Sequence, residues 1–440
     1  MKKRMGRPSR RRFLAESAGI TAGLFTGIDI SEAQQPALFS HLCASFDVDS
    51  RSAVIWVRGT SDRQVASIEW DKDTAFSNPA VATSIQLSKD FDLTHSFDLT
   101  NLDPDTVYYY RPATVIGGSR LTGTAGKFRT APESNRAISF VVGADTLASY
   151  QPFRLFEVML ERRPEFFVHL GDTIYADQPN QFLGFKGSLR LYRDKQAENR
   201  ADLPMQTFMQ NVPTFATWDD HEVQDNFDHT HTSLQDGLQA FSEWWPRRST
   251  DKKRIFRKFS WGGLADFFLL DTRQYRSPSR AYDDSSKTML GDEQKAWLKD
   301  ELRKSSAPLK IIFSPTPFNS RTDSDSWFGY RTERQEINGF IEQYKIRKTF
   351  VISADWHMAF DLSRFASQID EIVVGPIAAW PQFEINPGAR SLVAGSGRPY
   401  VGDAMNFGLG RVEPINGGAR LTLSIVDMSG KVRFTKVIES

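Results

Sequence analysis

Between about residues 38 and 130, hydrophobic and polar residues follow one another in short runs that are separated by turn residues. In residues 67–70 and 95–99, every second side chain is apolar. This alternation is typical of strands that bury one face, and the spacing of the runs predicts a small antiparallel β-sandwich.

Residues 102–110, LDPDTVYYY, resemble the tyrosine-corner segment of fibronectin-type sandwiches. In such a corner, the hydroxyl of a tyrosine bonds back to the backbone a few residues upstream. We therefore expect the sandwich at residues 38–130 to be immunoglobulin- or fibronectin-like.

From about residue 136 onward, apolar strand-like runs alternate with stretches that have helical spacing. The predicted helices cover residues 153–162, 292–302 and 333–344. Such alternation is typical of a layered α/β (α+β) fold. The pattern predicts a domain at residues 38–130 and a second, larger domain at residues 136–440.

Residues 1–33 have the composition and order of an export signal. The letters SRRRFL at residues 9–14 form a twin-arginine pattern, a mildly apolar stretch follows at 18–30, and SEA at 31–33 suits a signal peptidase. We expect a periplasmic or extracellular protein that uses the twin-arginine export machinery. Because no run reaches the ~18 apolar residues of a membrane helix, we expect no stable membrane span.

The charges of the chain are nearly balanced, with 55 Lys and Arg against 54 Asp and Glu. This balance argues against specificity for nucleic acid, which favours a basic excess. A hydrophobic content of 40% indicates a globular protein rather than a disordered one. Cys43 is the one cysteine of the sequence, so no internal disulfide can form.

Five predicted strands of the second region end in acidic residues, two of them together with a histidine. These residues are Asp145, Asp172, Asp219 and Asp220 with His221, Asp271, and Asp355 with His357. A turn or a cap explains any single Asp at such a position. Several carboxylates at one sheet edge, however, repel one another unless cations neutralise them. The sequence therefore predicts a metal site with more than one ion.

A phenol group accompanies the second of these carboxylates, because Tyr175 lies three residues after Asp172. A phenolate ligand favours a hard, strongly acidic ion such as Fe³⁺, which lowers the pKa of the phenol from its usual ~10. The predicted ligands of Fe(III) are Asp145, Asp172, Tyr175 and His357.

A second, oxygen-rich site is predicted beside the first. It uses Asp172 and Asp355, with a further oxygen ligand from Asp220 or Asn226. Oxygen ligands suit Ca²⁺, Mg²⁺ or Mn²⁺. Zinc is less favoured, because thiolate is absent and nitrogen ligands are few.

Two cations ~3.5–4 Å apart can activate a water and bind the oxygens of a phosphoryl group. His221 is placed to act as the general acid for the leaving alkoxide, or as a donor to a phosphate oxygen. We expect Glu222, the next residue, to orient the imidazole. The chemistry predicted from these residues is the hydrolysis of a phosphate ester.

The motifs that carry these residues are GDTIYAD at 171–177, WDDHEVQDN at 218–226, LDTRQYR at 270–276, D-x-W-x-G-Y at 325–330 and ADWH at 354–357. Together they resemble the alkaline phosphatase D (PhoD-type) family of metallophosphoesterases, over nearly the whole chain. The resemblance implies a β-sandwich core flanked by helices, hydrolysis of phosphomonoesters and phosphodiesters at alkaline pH, and iron with calcium. The expected catalytic residues are His221, Asp220 and Arg273, with Arg273 on the phosphate side.

One position departs from the family pattern. Members of the family commonly have a cysteine ligand at the end of the first core strand, where this sequence has Asp145. The set of two Asp, one Tyr and one His then resembles the iron half of a purple acid phosphatase.

Two classes of function compete for this sequence. The first is a secreted phosphoesterase for small esters or for diesters of lipid head groups or polymers, and specificity among these depends on variable loops. The second is a non-catalytic calcium-binding envelope protein with a β-sandwich adhesion module. Tyr175 and His221 argue against the second, since a structural calcium site needs neither a phenolate nor an imidazole.

Overall fold

The apolar runs of the sequence form the strands of three sheets in the computed structural model, which describes residues 37–178, 186–249, 251–346 and 348–440. The predicted signal at residues 1–33 lies outside the described residues. Leu38–Ser440 forms one compact unit. The domain boundary between residues 130 and 136 that the sequence pattern indicates stays a prediction.

The strands vary in length from two to ten residues. In chain order they are β1 Ala44–Phe46, β2 Ala53–Arg58, β3 Val65–Asp71, β4 Ala80–Val81, β5 Ile85–Gln86, β6 Thr94–Leu99, β7 Val107–Ile116, β8 Ser119–Thr122, β9 Gly126–Arg129, β10 Ile138–Gly143, β11 Phe166–Leu170, β12 Thr214–Thr217, β13 Arg257–Ser260, β14 Ala265–Leu269, β15 Leu309–Ser314, β16 Thr349–Ser353, β17 Ala359–Asp361, β18 Asp370–Val373, β19 Tyr400–Val401, β20 Asn406–Ile415, β21 Gly418–Asp427 and β22 Val432–Glu439.

Two large mixed sheets contain the strands that end near the acidic residues. The nine-stranded sheet has the order β22-β21-β20-β10-β11-β12-β1-β2-β6, and the seven-stranded sheet has the order β13-β14-β15-β16-β18-β17-β19. Within them, β10, β11 and β12 are mutually parallel neighbours, as are β14, β15 and β16. Parallel neighbours bring their carboxyl ends to the same edge of a sheet, where ligand sites of α/β proteins lie.

The two large sheets pack face to face through aromatic side chains that point inward from alternate strand positions. The ring of Phe267 lies 5.6 Å from that of Phe140 and 5.3 Å from that of Phe166. The next residue on each strand points outward into a separate apolar cluster, as with Phe167 and Phe268. The result is a β-sandwich core with a helical layer on each outer face, which confirms the predicted layered fold.

Helices such as Leu234–Trp244 and Gly291–Lys304 cover the outer faces because each buries an apolar stripe. The helices are Leu155–Glu161, Leu189–Arg200, Leu203–Asn211, Leu234–Trp244, Gly291–Lys304, Arg331–Gln343, Gln382–Ile385 and Ala389–Ala394, with 3₁₀ turns at Lys89–Phe91, Ala148–Tyr150 and Trp327–Tyr330. The side chains of Ser188 and Asp202 cap two of them by accepting hydrogen bonds from backbone N–H groups. In the described part of the chain, we find no helix whose length and apolar character would let it cross a membrane.

The N-terminal strands form a β-rich sandwich, as predicted. Its second sheet has the order β4-β3-β7-β8, with β5 on β3 and β9 on β7, and it packs against β1, β2 and β6. The Tyr108 hydroxyl accepts a hydrogen bond of 2.9 Å from the backbone N–H of Asp103, which is the predicted tyrosine corner. Strand β1 also pairs with β12 at Phe46 and Thr214, so the sandwich extends the nine-stranded sheet.

Candidate metal centre

The carboxyl ends of four strands meet at one place and bring the predicted ligands together. Asp145 follows β10, Asp172 follows β11, Asp220 follows β12, and Asp355 and His357 follow β16. The fifth acidic residue, after β14, has another role. Asp271 accepts hydrogen bonds from the indole Nε1–H of Trp218 and from the backbone N–H groups of residues 273 and 274.

Three overlapping groups of side chains offer ligand atoms that lie within 4.8 Å of one another. They are Asp145 with Asp172 and His357, Asp172 with Asp220 and His221, and Asp219 with Asp220 and Asp355. Asp172 belongs to the first two groups and Asp220 to the last two. A carboxylate with two oxygens can bridge neighbouring cations, so the arrangement suits more than one ion.

Asp145 shows that a cation fits the first group. Its side chain is completely buried, and neither carboxylate oxygen has a hydrogen-bond partner among the described residues. Burial raises the pKa of Asp145 well above its usual value, and the charge of Asp219 raises it further. An unpaired buried carboxylate costs several kilocalories per mole, and a bound cation offsets this cost.

Asp172 is likewise a buried carboxylate with a raised pKa. Burial raises its pKa well above the ordinary value, and repulsion from Asp220, Asp219 and Asp145 adds to the effect. Four acidic groups within one buried volume require positive charge. The donor set of carboxylates, a phenol and imidazoles therefore fits hard or borderline metal ions.

Tyr175 lies beside His357 of the first group. The phenol oxygen of Tyr175 lies 2.9 Å from Nε2 of His357. Nδ1 of His357 donates a hydrogen bond of 2.9 Å to the carbonyl oxygen of Trp380, because a carbonyl can only accept. The lone pair of Nε2 is thereby directed toward Tyr175 and toward Asp145, whose Oδ1 is 3.7 Å away.

The backbone at these ligands is unusual. Asp145, Asp172, Asp355 and His357 have φ angles of 66°, 51°, 72° and 50°, in the left-handed region that side chains other than glycine seldom adopt. Such conformations cost of order 1–3 kcal/mol each and cluster at functional sites. The turns redirect each side chain away from the strand direction and into the centre.

The candidate acid, His221, is held by Asp177. Nδ1 of the imidazole lies 2.8 Å and 3.0 Å from the two carboxylate oxygens of Asp177, which is fully buried. Burial disfavours the imidazolium, but the charges of Asp220 and Asp177 outweigh this effect and raise the pKa of His221 to about 10. The ring stacks on Tyr175, with 4.3 Å between centroids.

The expectation that Glu222 orients His221 is wrong. The Glu222 carboxylate accepts hydrogen bonds from the backbone N–H groups of Asp172, Thr173 and Asp219. It therefore fixes the two loops that carry the carboxylates rather than the imidazole. Asp177 is the functional candidate that the sequence reasoning missed, and its signal was its place at the end of GDTIYAD, in the loop of Asp172.

Arg273 lies beneath the third group with its side chain completely buried. Its guanidinium forms an ion pair with Asp219, another of 2.8 Å with Asp325, and lies 3.7 Å from Asp220 and 3.6 Å from Asp355. In this arrangement Arg273 balances carboxylate charge. Its predicted contact with the phosphate stays a prediction.

Asn226 lies at the exposed edge of the same loop. Its backbone N–H donates a hydrogen bond of 2.6 Å to Asp220, and its side-chain amide donates one of 3.1 Å to Asp225. The backbone contact fixes the Asp220 carboxylate, whose pKa is held below the usual range because the charges of Arg273 and His221 outweigh burial. Asp220 belongs to two of the ligand groups, and Asn226 stays the alternative predicted for the second site.

Two family models match this chain. The family model of the PhoD-like phosphatase matches residues 140–392, and that of the PhoD-like phosphatase N-terminal domain matches residues 26–132. The chain is 26% identical over 431 residues to alkaline phosphatase D of Bacillus subtilis (strain 168), covering 80% of this chain and 71% of that protein.

A solved structure described as PhoD superimposes with a TM-score of 0.76 at 21% identity, covering 93% of this chain and 94% of that one. At this identity the superposition shows the fold alone. The family model, which spans more than half of the chain, confirms the resemblance found in the motifs. The chain belongs to the PhoD-like phosphatase family and is a hydrolase of phosphoric ester bonds.

Proposed function

We propose that the chain is a metal-dependent phosphoesterase that hydrolyses phosphate monoesters, diesters or both, with an activated water as nucleophile and His221 as general acid. The observation that carries this proposal is the position of Asp172. It lies within ligand distance of the group of Asp145 and His357 and of the group of Asp220 and His221. A bridging carboxylate of this kind is what a site with two cations needs.

The first group would hold Fe(III) through Asp145, Asp172, Tyr175 and His357. A second site, built from carboxylates of the other two groups, would hold Ca²⁺, or Mg²⁺ or Mn²⁺, through Asp172, Asp220 and Asp355, with Asn226 in the loop of Asp220. Bound there, the cations would make water more acidic and neutralise charge on the phosphoryl oxygens. The oxygen-only second set suits a hard divalent ion.

His221 would supply a proton to the leaving oxygen from Nε2. Because Asp177 accepts from Nδ1, the proton on Nδ1 is fixed and a second proton on Nε2 makes the ring a cation. Stacking on Tyr175 sets the plane of the ring, so Nε2 has one direction in which to donate. General acid catalysis of this kind contributes roughly 10²–10⁴-fold to the rate.

Asp172→Asn tests the proposal, since an amide cannot bridge two cations as a carboxylate does. We expect hydrolysis of p-nitrophenyl phosphate and of bis-p-nitrophenyl phosphate to fall by at least about 10³-fold, with the loss of at least one ion by elemental analysis. Tyr175→Phe tests the iron, since a tyrosinate bound to Fe(III) absorbs visible light. A coloured band that vanishes in this variant supports the assignment.

Asp98→Asn, on the outer strand β6, is the matched control and should keep both activity and metal. Full activity in Asp172→Asn would overturn the bridging role. An active wild-type protein that contains iron but has no visible band would overturn the role of Tyr175. Tyr175 and His221 argue against the calcium-binding adhesion alternative, since a structural calcium site needs neither a phenolate nor an imidazole.

We propose that the protein acts in the periplasm or outside the cell and is exported by the twin-arginine route. The support is the sequence pattern at residues 9–33 alone. Changing Arg10 and Arg11 together to Lys should retain the chain in the cytoplasm, as measured by cell fractionation. Unchanged export of the double variant would contradict this route.

A further inference from the structure

Trp380 stands at the border between the metal centre and solvent. Its ring lies 4.9 Å from the ring of His357 and 5.6 Å from that of Tyr175. Both of these residues are buried, with 6% and 2% of their surface exposed, whereas Trp380 is only half-buried. One part of the indole therefore covers the two ligands, and the remainder faces the solvent beside them.

The backbone of Trp380 is held in place from both sides. Its carbonyl oxygen accepts the hydrogen bond from Nδ1 of His357, and the backbone N–H of Gln382 donates to the carbonyl oxygen of His357 at 2.8 Å. Two residues earlier, the N–H of Ala378 donates to the carbonyl oxygen of Asp145 at 2.9 Å. An indole on so fixed a segment loses little freedom when a molecule binds against it.

The ring of Tyr175 connects Trp380 to the candidate acid, so that the three rings form a row. His221 stacks on Tyr175 at 4.3 Å with 30° between the planes, and Tyr175 contacts Trp380 at 59°. An ester whose leaving oxygen is within reach of His221 therefore lies beside this row. Among the three rings, Trp380 is the one with exposed surface large enough to contact that group.

We propose that Trp380 is a specificity-determining residue that forms the wall of the leaving-group subsite and favours phosphate esters of flat, weakly polar alcohols such as phenols. This inference rests on the proposed function, in particular on His221 as the general acid. The indole has no charge with which to pair an anionic group, and its face attracts a planar ring. Stacking of this kind corresponds to a preference of about three- to tenfold.

The kinetic test compares two esters whose alcohols are similarly acidic but differ in shape, phenyl phosphate and hexafluoroisopropyl phosphate. We expect Trp380→Leu to lower kcat/KM for the phenyl ester by about tenfold, chiefly through KM, and to change the alkyl ester by less than twofold. Trp380→Phe, which keeps a ring, should fall between Leu and wild type. Trp297→Leu, on the helix Gly291–Lys304, is the matched control.

A binding test uses two phosphonates that cannot be hydrolysed, phenylphosphonate and cyclohexylphosphonate, with the metal-loaded protein in a calorimeter. Trp380→Leu should weaken phenylphosphonate by about five- to tenfold and cyclohexylphosphonate by less than twofold. Equal losses for both ligands, or no loss for either, would overturn the proposal. The metal content of each variant is measured by elemental analysis. If Trp380→Leu has lost metal, the same comparison of the two phosphonates is made with Trp380→Phe, and its result decides.

Failure of this inference is distinct from failure of the proposed function. A wild-type protein that hydrolyses both esters, with a selectivity that Trp380→Leu and Trp380→Phe leave unchanged, refutes the role of Trp380 alone. A wild-type protein that hydrolyses neither ester when loaded with metal refutes the proposed function.

Discussion

At the scale of single residues, the pairing of His221 with Asp177 is the feature with the most direct chemical consequence. A neutral or poorly oriented imidazole still allows an ester with an acidic alcohol to react, since such a leaving group needs no proton. An alkyl ester, by contrast, requires one. Asp177 is therefore a positioning residue whose effect depends on the leaving group.

The corresponding prediction concerns Asp177→Asn and His221→Ala. Both should lower kcat for an alkyl phosphate by about 100-fold, and for p-nitrophenyl phosphate by less than about tenfold. Rates for a series of esters with alcohols of increasing pKa measure the difference. If both variants lose the same factor on every ester in the series, His221 does not donate the proton.

At the scale of the elements, the strand ends and the turns that follow them place the ligands. At Gly375, which has a φ of 101°, the backbone lies close to the side chain of Asp145. A Cβ at this position would lie 2.7 Å from Oδ2 of Asp145, well inside van der Waals contact. The glycine therefore leaves the room that the Asp145 carboxylate occupies.

We predict that Gly375→Ala displaces the Asp145 carboxylate and lowers both metal content and activity, with a loss of stability from the strained φ. Elemental analysis and thermal unfolding measure these effects. Gly339→Ala is the matched control, because nothing lies within 4 Å of the new methyl group in its helix. It should raise stability by about 0.5–1 kcal/mol and leave the metal in place. Normal metal content in Gly375→Ala would contradict the prediction.

At the scale of the whole molecule, the N-terminal sandwich and the large sheets share one apolar core. The contact between them includes an ion pair of 2.7 Å between Asp47 and Arg257, and a hydrogen bond of 2.8 Å from the indole of Trp56 to the carbonyl oxygen of Glu243. His41 also lies in this contact, with its ring 5.2 Å from that of Trp244.

His41 makes the stability of this contact depend on pH. Burial, helped by the charges of Arg200 and Arg58, lowers the pKa of His41 from 6.5 to about 3. Between these values the unfolded chain binds a proton at this residue and the folded chain does not, so stability falls as the pH falls from 6.5 toward 3. The slope for one such group is at most about 1.4 kcal/mol per pH unit.

We expect His41→Gln to flatten the decline of the unfolding free energy between pH 6.5 and 5, as measured by urea titration at several pH values. His229→Gln, at an exposed histidine, is the matched control for the removal of one imidazole. An unchanged slope in His41→Gln would show that the imidazole is protonated in the folded protein or is not buried there.

The sequence by itself determined the layered fold, the tyrosine corner and the identity of the acidic strand ends, because periodicity and turn chemistry are local. Phe166 and Phe167 illustrate this, since alternation on one strand already assigns one ring to each face. It also indicated that Asp145 and Asp172 converge, because parallel neighbouring strands place their ends at a common edge. His357 follows a strand of the other large sheet, so its approach to them depends on how the two sheets pack.

Only the tertiary structure decided which partner each side chain meets. Asp177 contacts His221 across 44 positions of sequence, and Glu222 reaches back to the backbone N–H of Asp172 across 50. The local sequence does not distinguish these two carboxylates, since both are acidic residues within the motifs that carry the predicted site. The difference arises from the left-handed turn at Asp172 and from the packing of two loops, and both depend on contacts between distant parts of the chain.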